Sequence, residues 1–313
     1  MTSHRELEGG GREPQGAQWQ ESMKRRQPAR AASLNELDRA RQSSLFIDSL
    51  EKGLHILQIF GRQRSSLGWS EIVAASGLDK SSVQRATFTL HALGFLKRDL
   101  RTRKYSLSAR TLVLGFTYLQ TDGLLEHATP LLYQAANKCG ESMNISELLD
   151  TEVVYVARVP AKHAISGDLL LGGRMPAFAT APGRAMLAFL DEDNAADILR
   201  RSPRHSFTPK TTTGMRALRQ ELSGIRRQGY AVAVEQCFVG EISAAVPIVD
   251  ISGHPIAAIN VSVPTSRWTV ARVEKDLVPL LQWVSTEASR SQSLNAPRPW
   301  FAQPPQRRDG PDR

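Results

Sequence analysis

The sequence predicts an α+β protein: an N-terminal winged helix-turn-helix, a linker helix, and a larger domain built on an antiparallel sheet. Three observations carry this prediction. Within residues 44–108 the chain reads helix, helix, tight turn, helix, basic hairpin, which is the order of a winged helix-turn-helix. Beyond residue 124, apolar segments with strand character come in pairs around turn residues, with helical stretches on one side of the resulting sheet. Charge is also divided: residues 44–108 hold 10 Lys/Arg against 5 Asp/Glu, while residues 109–289 hold 17 against 18, out of a net charge of +9. A small basic module beside a neutral one points to a polyanion partner for the first and a different partner for the second.

The elements follow in order. Residues 1–43 are rich in Gly, Gln, Arg and Glu without an apolar period and are expected to form a disordered tail. Order begins at "SLEKGLHILQIFG", where Leu50, Leu54, Ile56, Leu57 and Phe60 make a helical stripe that stops at Gly61. "GWSEIVAASG" is a short helix with Trp69, Ile72 and Val73 facing inward and Gly77 as its stop. Asp79 then opens a third helix as N-cap or first-turn acid, with Val83, Ala86, Leu90 and Leu93 on one face. After Gly94 the period switches, and arms at 95–97 and 104–107 flank a polar turn. "ARTLVLGFTYLQ" marks a linker helix over residues 109–123. Residues 124–290 form the larger domain: a helix from Leu124 to Cys139, two strands joined at Asp150–Thr151, two helices ("GRAMLAFL" and "MRALRQELSGIRRQGY"), a hairpin turning at Ser252–Gly253, and a closing amphipathic helix. The Pro-rich residues 291–313 are expected to be a second disordered tail.

The third helix carries an unusual set of polar groups opposite its apolar stripe: Lys80, Ser81, Ser82, Gln84, Arg85 and Thr87. Such a helix fits the major groove of double-stranded DNA, where base edges present donors and acceptors. Arg85 is suited to bidentate bonding of guanine or phosphate, and Gln84 to adenine. Ser81 and Ser82 are short enough to bond phosphate oxygens together with free helix N–H groups. In the hairpin, Arg101, Arg103 and Lys104 cluster with Arg98 and are opposed only by Asp99, as expected of a wing lying along a phosphate strand. Solvated surface is the competing account of each residue taken singly. The ordered combination is what points to DNA.

Enzyme chemistry finds little support. There is no GxSxG, no Walker A and no GxGxxG after a strand. The seven histidines show no metal-ligand spacing, so no metal and no cofactor are expected. Cys139 and Cys237 form no CxxC and read as buried reduced thiols. The N-terminus has no apolar signal segment, and the longest near-apolar stretch falls short of the ~18 residues of a membrane helix, so a cytoplasmic protein with no membrane partner is expected. Two alternatives stay open: an enzyme acting on a small organic acid with an accessory basic domain, and a DNA-binding protein without an effector.

The chain resembles the IclR-type bacterial transcriptional regulators over roughly residues 44–290. "SLEKGLHIL", "GLDKSSVQRATFTLHALGFLKRD" and "YSLSARTLVLG" match the family's winged-helix pattern, while "LGGRMPAFATAPGRAMLAFL", "RRQGYAVAVEQCFVGEISAAVPIVDISGHPIAAINVSVP" and Arg267 resemble its GAF-like effector domain. "TLVLGFTYLQ", "GGRMPAF" and "AAINVS" look most like the subgroup controlling breakdown of protocatechuate, 4-hydroxybenzoate and β-ketoadipate. The resemblance implies a small organic acid effector held between the start of the helix near Gly183 and the facing strands. Met175 is then an apolar wall, and Ala181, Pro182 and Gly183 form a helix start whose free N–H groups favour a carboxylate, less the one that Pro182 lacks. Ser243, Asn260 and Ser262 match polar ligand-facing positions. An Asp common in related pockets falls on Ala233, implying a more apolar pocket suited to an aromatic or larger acid. Arg184 is expected at the surface. The resemblance further implies a homo-oligomer, dimer or tetramer, in which the effector shifts the arrangement of the DNA-binding modules through the linker helix.

Overall fold

The structure, a computed structural model, describes residues 39–61, 64–161 and 170–294. The basic run at 24–30 and the Pro-rich stretch from 295 onward lie outside the described residues.

The basic module comprises α1 (Asp48–Gln58), α2 (Trp69–Ser76), α3 (Lys80–Ala92) and the hairpin β1 (Leu96–Arg98) and β2 (Tyr105–Leu107). Gly77 ends α2 in the left-handed region at φ 67°, returning its N–H to the Val73 carbonyl. Two residues later Asp79 caps α3, its carboxylate accepting from the Ser82 N–H at 2.9 Å. This short link holds α2 and α3 as a helix-turn-helix around Ile56, Leu67, Ile72, Val83, Leu90 and Leu96. Four residues of the expected apolar stripes depart from it: Leu50, Leu54, Trp69 and Leu93 are exposed. A module this small buries only a narrow stripe of each helix, and the remaining apolar side chains stay at the surface.

The linker is α4 (Arg110–Thr121), with no buried residue. It passes directly into α5 (Gly123–Cys139), capped by Asp122 through the Leu125 N–H. The larger domain is a six-stranded antiparallel sheet of order β5-β4-β3-β8-β7-β6. Its strands are β3 (Ser142–Leu149), β4 (Glu152–Val159), β5 (Arg174–Pro176), β6 (Ala231–Val234), β7 (Glu241–Val249) and β8 (Pro255–Pro264). Between them lie α6 (Ala181–Phe189), α7 (Glu192–Arg201) and α8 (Met215–Gln228), and the chain closes with α9 (Val270–Arg272), a π turn over Val273–Leu277 and α10 (Val278–Leu294).

The α+β architecture is as expected, with one correction. Helices cover both faces of the sheet rather than one. Met143, Ile145, Ile259 and Val261 pack with Leu132, Leu281 and Val284 of α5 and α10, whereas Val153, Tyr155, Ala245 and Ala258 pack with Ala185 and Met186 of α6 and Leu222 of α8. Double coverage explains why β7 and β8 read as nearly continuous apolar runs rather than as clean alternation. The closing helix also departs from the expected single run. The π turn precedes Pro279, which has no N–H to return to the Lys275 carbonyl.

Candidate nucleic-acid interface and ligand cavity

On α3, the exposed positions include Lys80, Ser81, Gln84, Arg85 and Phe88. Spacings of three and four put Ser81, Gln84, Arg85 and Phe88 on one face, available to a groove. Two expected contacts are corrected. Thr87 is 2% exposed, and its hydroxyl donates to the Val83 carbonyl at 2.7 Å. Ser82 is buried as well, with its hydroxyl accepting from Lys52 Nζ at 3.5 Å. Position decides both, because 82 and 87 fall on the seam where α3 packs on the rest of the module. Periodicity missed Phe88, which is 72% exposed next to Arg85 and Gln84. Its three- and four-residue spacing from those two was the available signal.

In the wing, Asp99 is a turn-former. Its carboxylate accepts from the Arg101 and Thr102 N–H groups at 2.9 and 2.7 Å, which hold its pKa below the usual carboxylate value, with the Thr102 N–H the largest cause. Arg103 takes the left-handed φ of 58° that the tight turn needs. Arg101 and Arg103 are exposed at the tip. Lys104 instead pairs with Glu71 at 3.2 Å, tying the wing to α2. Arg98 stacks over the Tyr105 ring at 5.5 Å.

The larger domain holds a cavity of about 370 Å³, part of it open to solvent, on the face of the sheet covered by α6. Met175, Ala181, Pro182, Ser243 and Ser262 line it, together with Tyr155, Thr180, Ala233, Cys237 and Glu241. Register explains the wall: Ser243 is paired with Ser262 across β7 and β8, and Ala233 with Ser243 across β6 and β7, so these side chains leave one face together. Ser243 Oγ accepts from Ser262 Oγ and from Asn260 Nδ2, each at 3.4 Å, which leaves its own O–H free to donate into the cavity.

Three expectations from the family pattern change. Asn260 does not line the cavity; it is buried behind Ser243, where Asn144 Nδ2 donates to its Oδ1 at 3.4 Å. Gly183 does not line it either, and its N–H is not free, because Thr180 Oγ1 caps it at 3.2 Å. Glycine is required there by close approach, since a Cβ would lie 2.6 Å from the Ala177 carbonyl carbon. Arg184 is not at the surface. At 2% exposure it donates to the Phe178 carbonyl, Glu221 and Gln236, each at 2.7 Å. It thereby fixes the loop that carries Gln236 and Cys237 along the cavity rim. Burial lowers the Arg184 pKa, opposed by Glu221.

The ionisable lining of the cavity was not legible from motifs. Burial pushes the Cys237 thiol up to about 12, with Glu241 adding to the shift, so it stays protonated rather than nucleophilic. Burial likewise raises the Tyr155 hydroxyl above the usual phenol range and Glu241 to about 7. No group of three or more His, Cys, Asp or Glu among the described residues is arranged to hold a metal ion. No helix among them is long and apolar enough to cross a membrane.

Comparison with known proteins agrees with this geometry. The IclR helix-turn-helix domain profile matches residues 49–100, and the profile described as bacterial transcriptional regulator IclR C-terminal matches residues 116–290. The Pca regulon regulatory protein of Pseudomonas putida is 33% identical over 75% of this chain and 81% of its own. The transcriptional repressor IclR of Escherichia coli is 29% identical over 72% of this chain and 84% of its own. The crystal structure of an IclR family transcriptional regulator from Brucella abortus superposes with a TM-score of 0.71 at 25% identity, covering 84% of this chain and 99% of that one. These relatives are regulators, which removes the enzyme alternative. Two profiles matched in order, one to each of the two domains, establish that the chain belongs to the IclR family of ligand-responsive, DNA-binding transcriptional regulators.

Proposed function

We propose that this regulator binds operator DNA through Lys80, Ser81, Gln84, Arg85 and the wing arginines Arg101 and Arg103. A small organic acid, aromatic by preference, would set its activity from the cavity between α6 and the sheet. The observation that carries the effector reading is the cavity itself. It has apolar walls at Met175, Pro182 and Ala233 and a free hydroxyl donor at Ser243. Apolar walls beside the hydroxyl groups of Thr180, Ser243 and Ser262 suit an aromatic ring bearing a carboxylate. The likeness to the Pseudomonas putida Pca regulon regulatory protein supports the same class.

Transmission runs through the linker helix. Tyr118 on α4 donates to Glu147 on β3 at 2.5 Å, so the linker is bonded to a strand of the same sheet that walls the cavity. An effector that shifts β3 relative to α4 biases the position of the DNA-binding modules. The chain acts in the cytoplasm as a homodimer or homotetramer. Leu112, Leu114 and Phe116, exposed on α4, supply apolar surface for self-association. The test is a thermal-shift titration of the full chain with protocatechuate, 4-hydroxybenzoate and β-ketoadipate, combined with retardation of promoter DNA over a salt series. Stabilisation by at least one acid and a steep loss of DNA affinity with salt are expected. No shift with any of the three acids rejects the effector class.

A further inference from the structure

Glu241 stands apart in the cavity. It is the first residue of β7, opposite Pro264 in register, and its side chain forms part of the lining. Its backbone is engaged, the N–H with Phe238 and the carbonyl with Glu235, but among the described residues its carboxyl has no hydrogen-bond donor and no cation. None of the neighbouring hydroxyl and thiol donors is bonded to it, and no cation faces it. From β4 comes Tyr155, from the rim Cys237, and from α6 Arg184, reached only through Cys237 and already bonded to Glu221, Gln236 and the Phe178 carbonyl. An acid entering this space as an anion would sit beside a second carboxylate with no positive charge between them. Two like charges in a partly desolvated site are not both retained, and one takes up a proton.

We propose that Glu241 couples effector binding to proton uptake: the acid enters as its anion, and Glu241 is protonated from solvent in the same equilibrium. Protonated, Glu241 becomes a hydrogen-bond donor to the ligand, joining the free hydroxyl of Ser243. Burial alone has already raised Glu241 to about 7, so the proton is half in place at neutral pH before the ligand arrives. A regulator built this way reads acid and pH together. The inference rests on the reading that this cavity takes a small organic acid.

The test is calorimetric titration of the full chain with 4-hydroxybenzoate and protocatechuate at pH 6, 7 and 8, in phosphate and in Tris. The difference in heat between buffers counts the protons taken up. Uptake of about half a proton at pH 7 is expected, with affinity falling up to about fivefold from pH 7 to pH 8. Glu241→Gln should bind with an affinity that changes less than about twofold between pH 6 and 8 and with no uptake. Equal affinities for the wild type at all three pH values, or heats independent of buffer, overturn the proposal. A ligand-free measurement separates the two readings. A carboxyl whose folded pKa is raised binds more protons in the folded state, so wild-type Tm relative to Glu241→Gln should fall as pH rises from about 4.5 through 7. Absence of that fall refutes the role of Glu241 whatever binds. Presence of the fall with no binding of either acid at any pH overturns the effector class, and the coupling with it.

Discussion

Gly183→Ala puts the central packing claim at risk. Gly183 is the third residue of α6, buried where the helix crosses the segment that precedes it. A methyl group there lies 2.6 Å from the Ala177 carbonyl carbon and closer still to its oxygen, where real contacts essentially never fall below 3.0 Å. The opposing atoms are backbone, so no rotamer change relieves the clash; α6 must move away from Ala177. Forced overpacking of this kind costs about 3 kcal/mol. For a domain of this size that is a loss of about 6–12 °C in Tm. Ala181 and Pro182, in the same turn, form part of the cavity wall, so ligand affinity should fall too. Gly224→Ala on α8 is the matched control, because its Cβ would meet nothing within 4 Å. There the helix gains about 0.5–1 kcal/mol from alanine's propensity. Thermal unfolding of the three proteins by circular dichroism decides the matter. A Gly183→Ala protein within about 2 °C of wild type would refute the close approach and with it the position of the cavity wall.

Arg85→Ala should weaken operator binding by about 5- to 150-fold, the range for losing one base contact, while the effector-induced thermal shift is unchanged; fluorescence anisotropy on a labelled operator measures the first. Thr87→Val separates the buried from the exposed face of the same helix: operator affinity should stay within about twofold, with a stability loss of about 1 kcal/mol from the bond to the Val83 carbonyl. Cys237 should react with a thiol reagent at pH 8 about a thousandfold more slowly than a thiol of ordinary pKa, and unfolding in guanidinium should restore the rate. Tyr118→Phe removes the bond to Glu147, so operator binding should persist while the effector changes it less; equal effector responses in Tyr118→Phe and wild type would exclude this bond from transmission.

The elements that local chemistry specifies were legible without coordinates. Asp79 as the opening of the reading helix, Gly77 as a helix stop and Ser252–Gly253 as a hairpin turn each depend on a few neighbouring residues. Three elements were missed. β5 and β6 are only three and four residues long, too short for a period to register. α7, "EDNAADILRR", has the acidic start and basic end of a helix, a charge signal without a capping side chain to mark its boundary.

The order of the modules, the basic character of the first and the residues on each helix face follow from periodicity, capping and charge along the chain. Which polar groups face outward depends instead on how the helices pack. Thr87 and Ser82 carry the same kinds of group as Ser81, yet the packing of α3 buries two and exposes one. Tertiary packing also took Asn260 out of the cavity and brought Glu241 in. Strand alternation narrows a residue to one face of the sheet, but which stretch of that face borders empty space depends on where α6 crosses it. That crossing rests on the packing of Ala185 and Met186 against Ala245 and Ala258, residues far apart in the chain that no local pattern pairs.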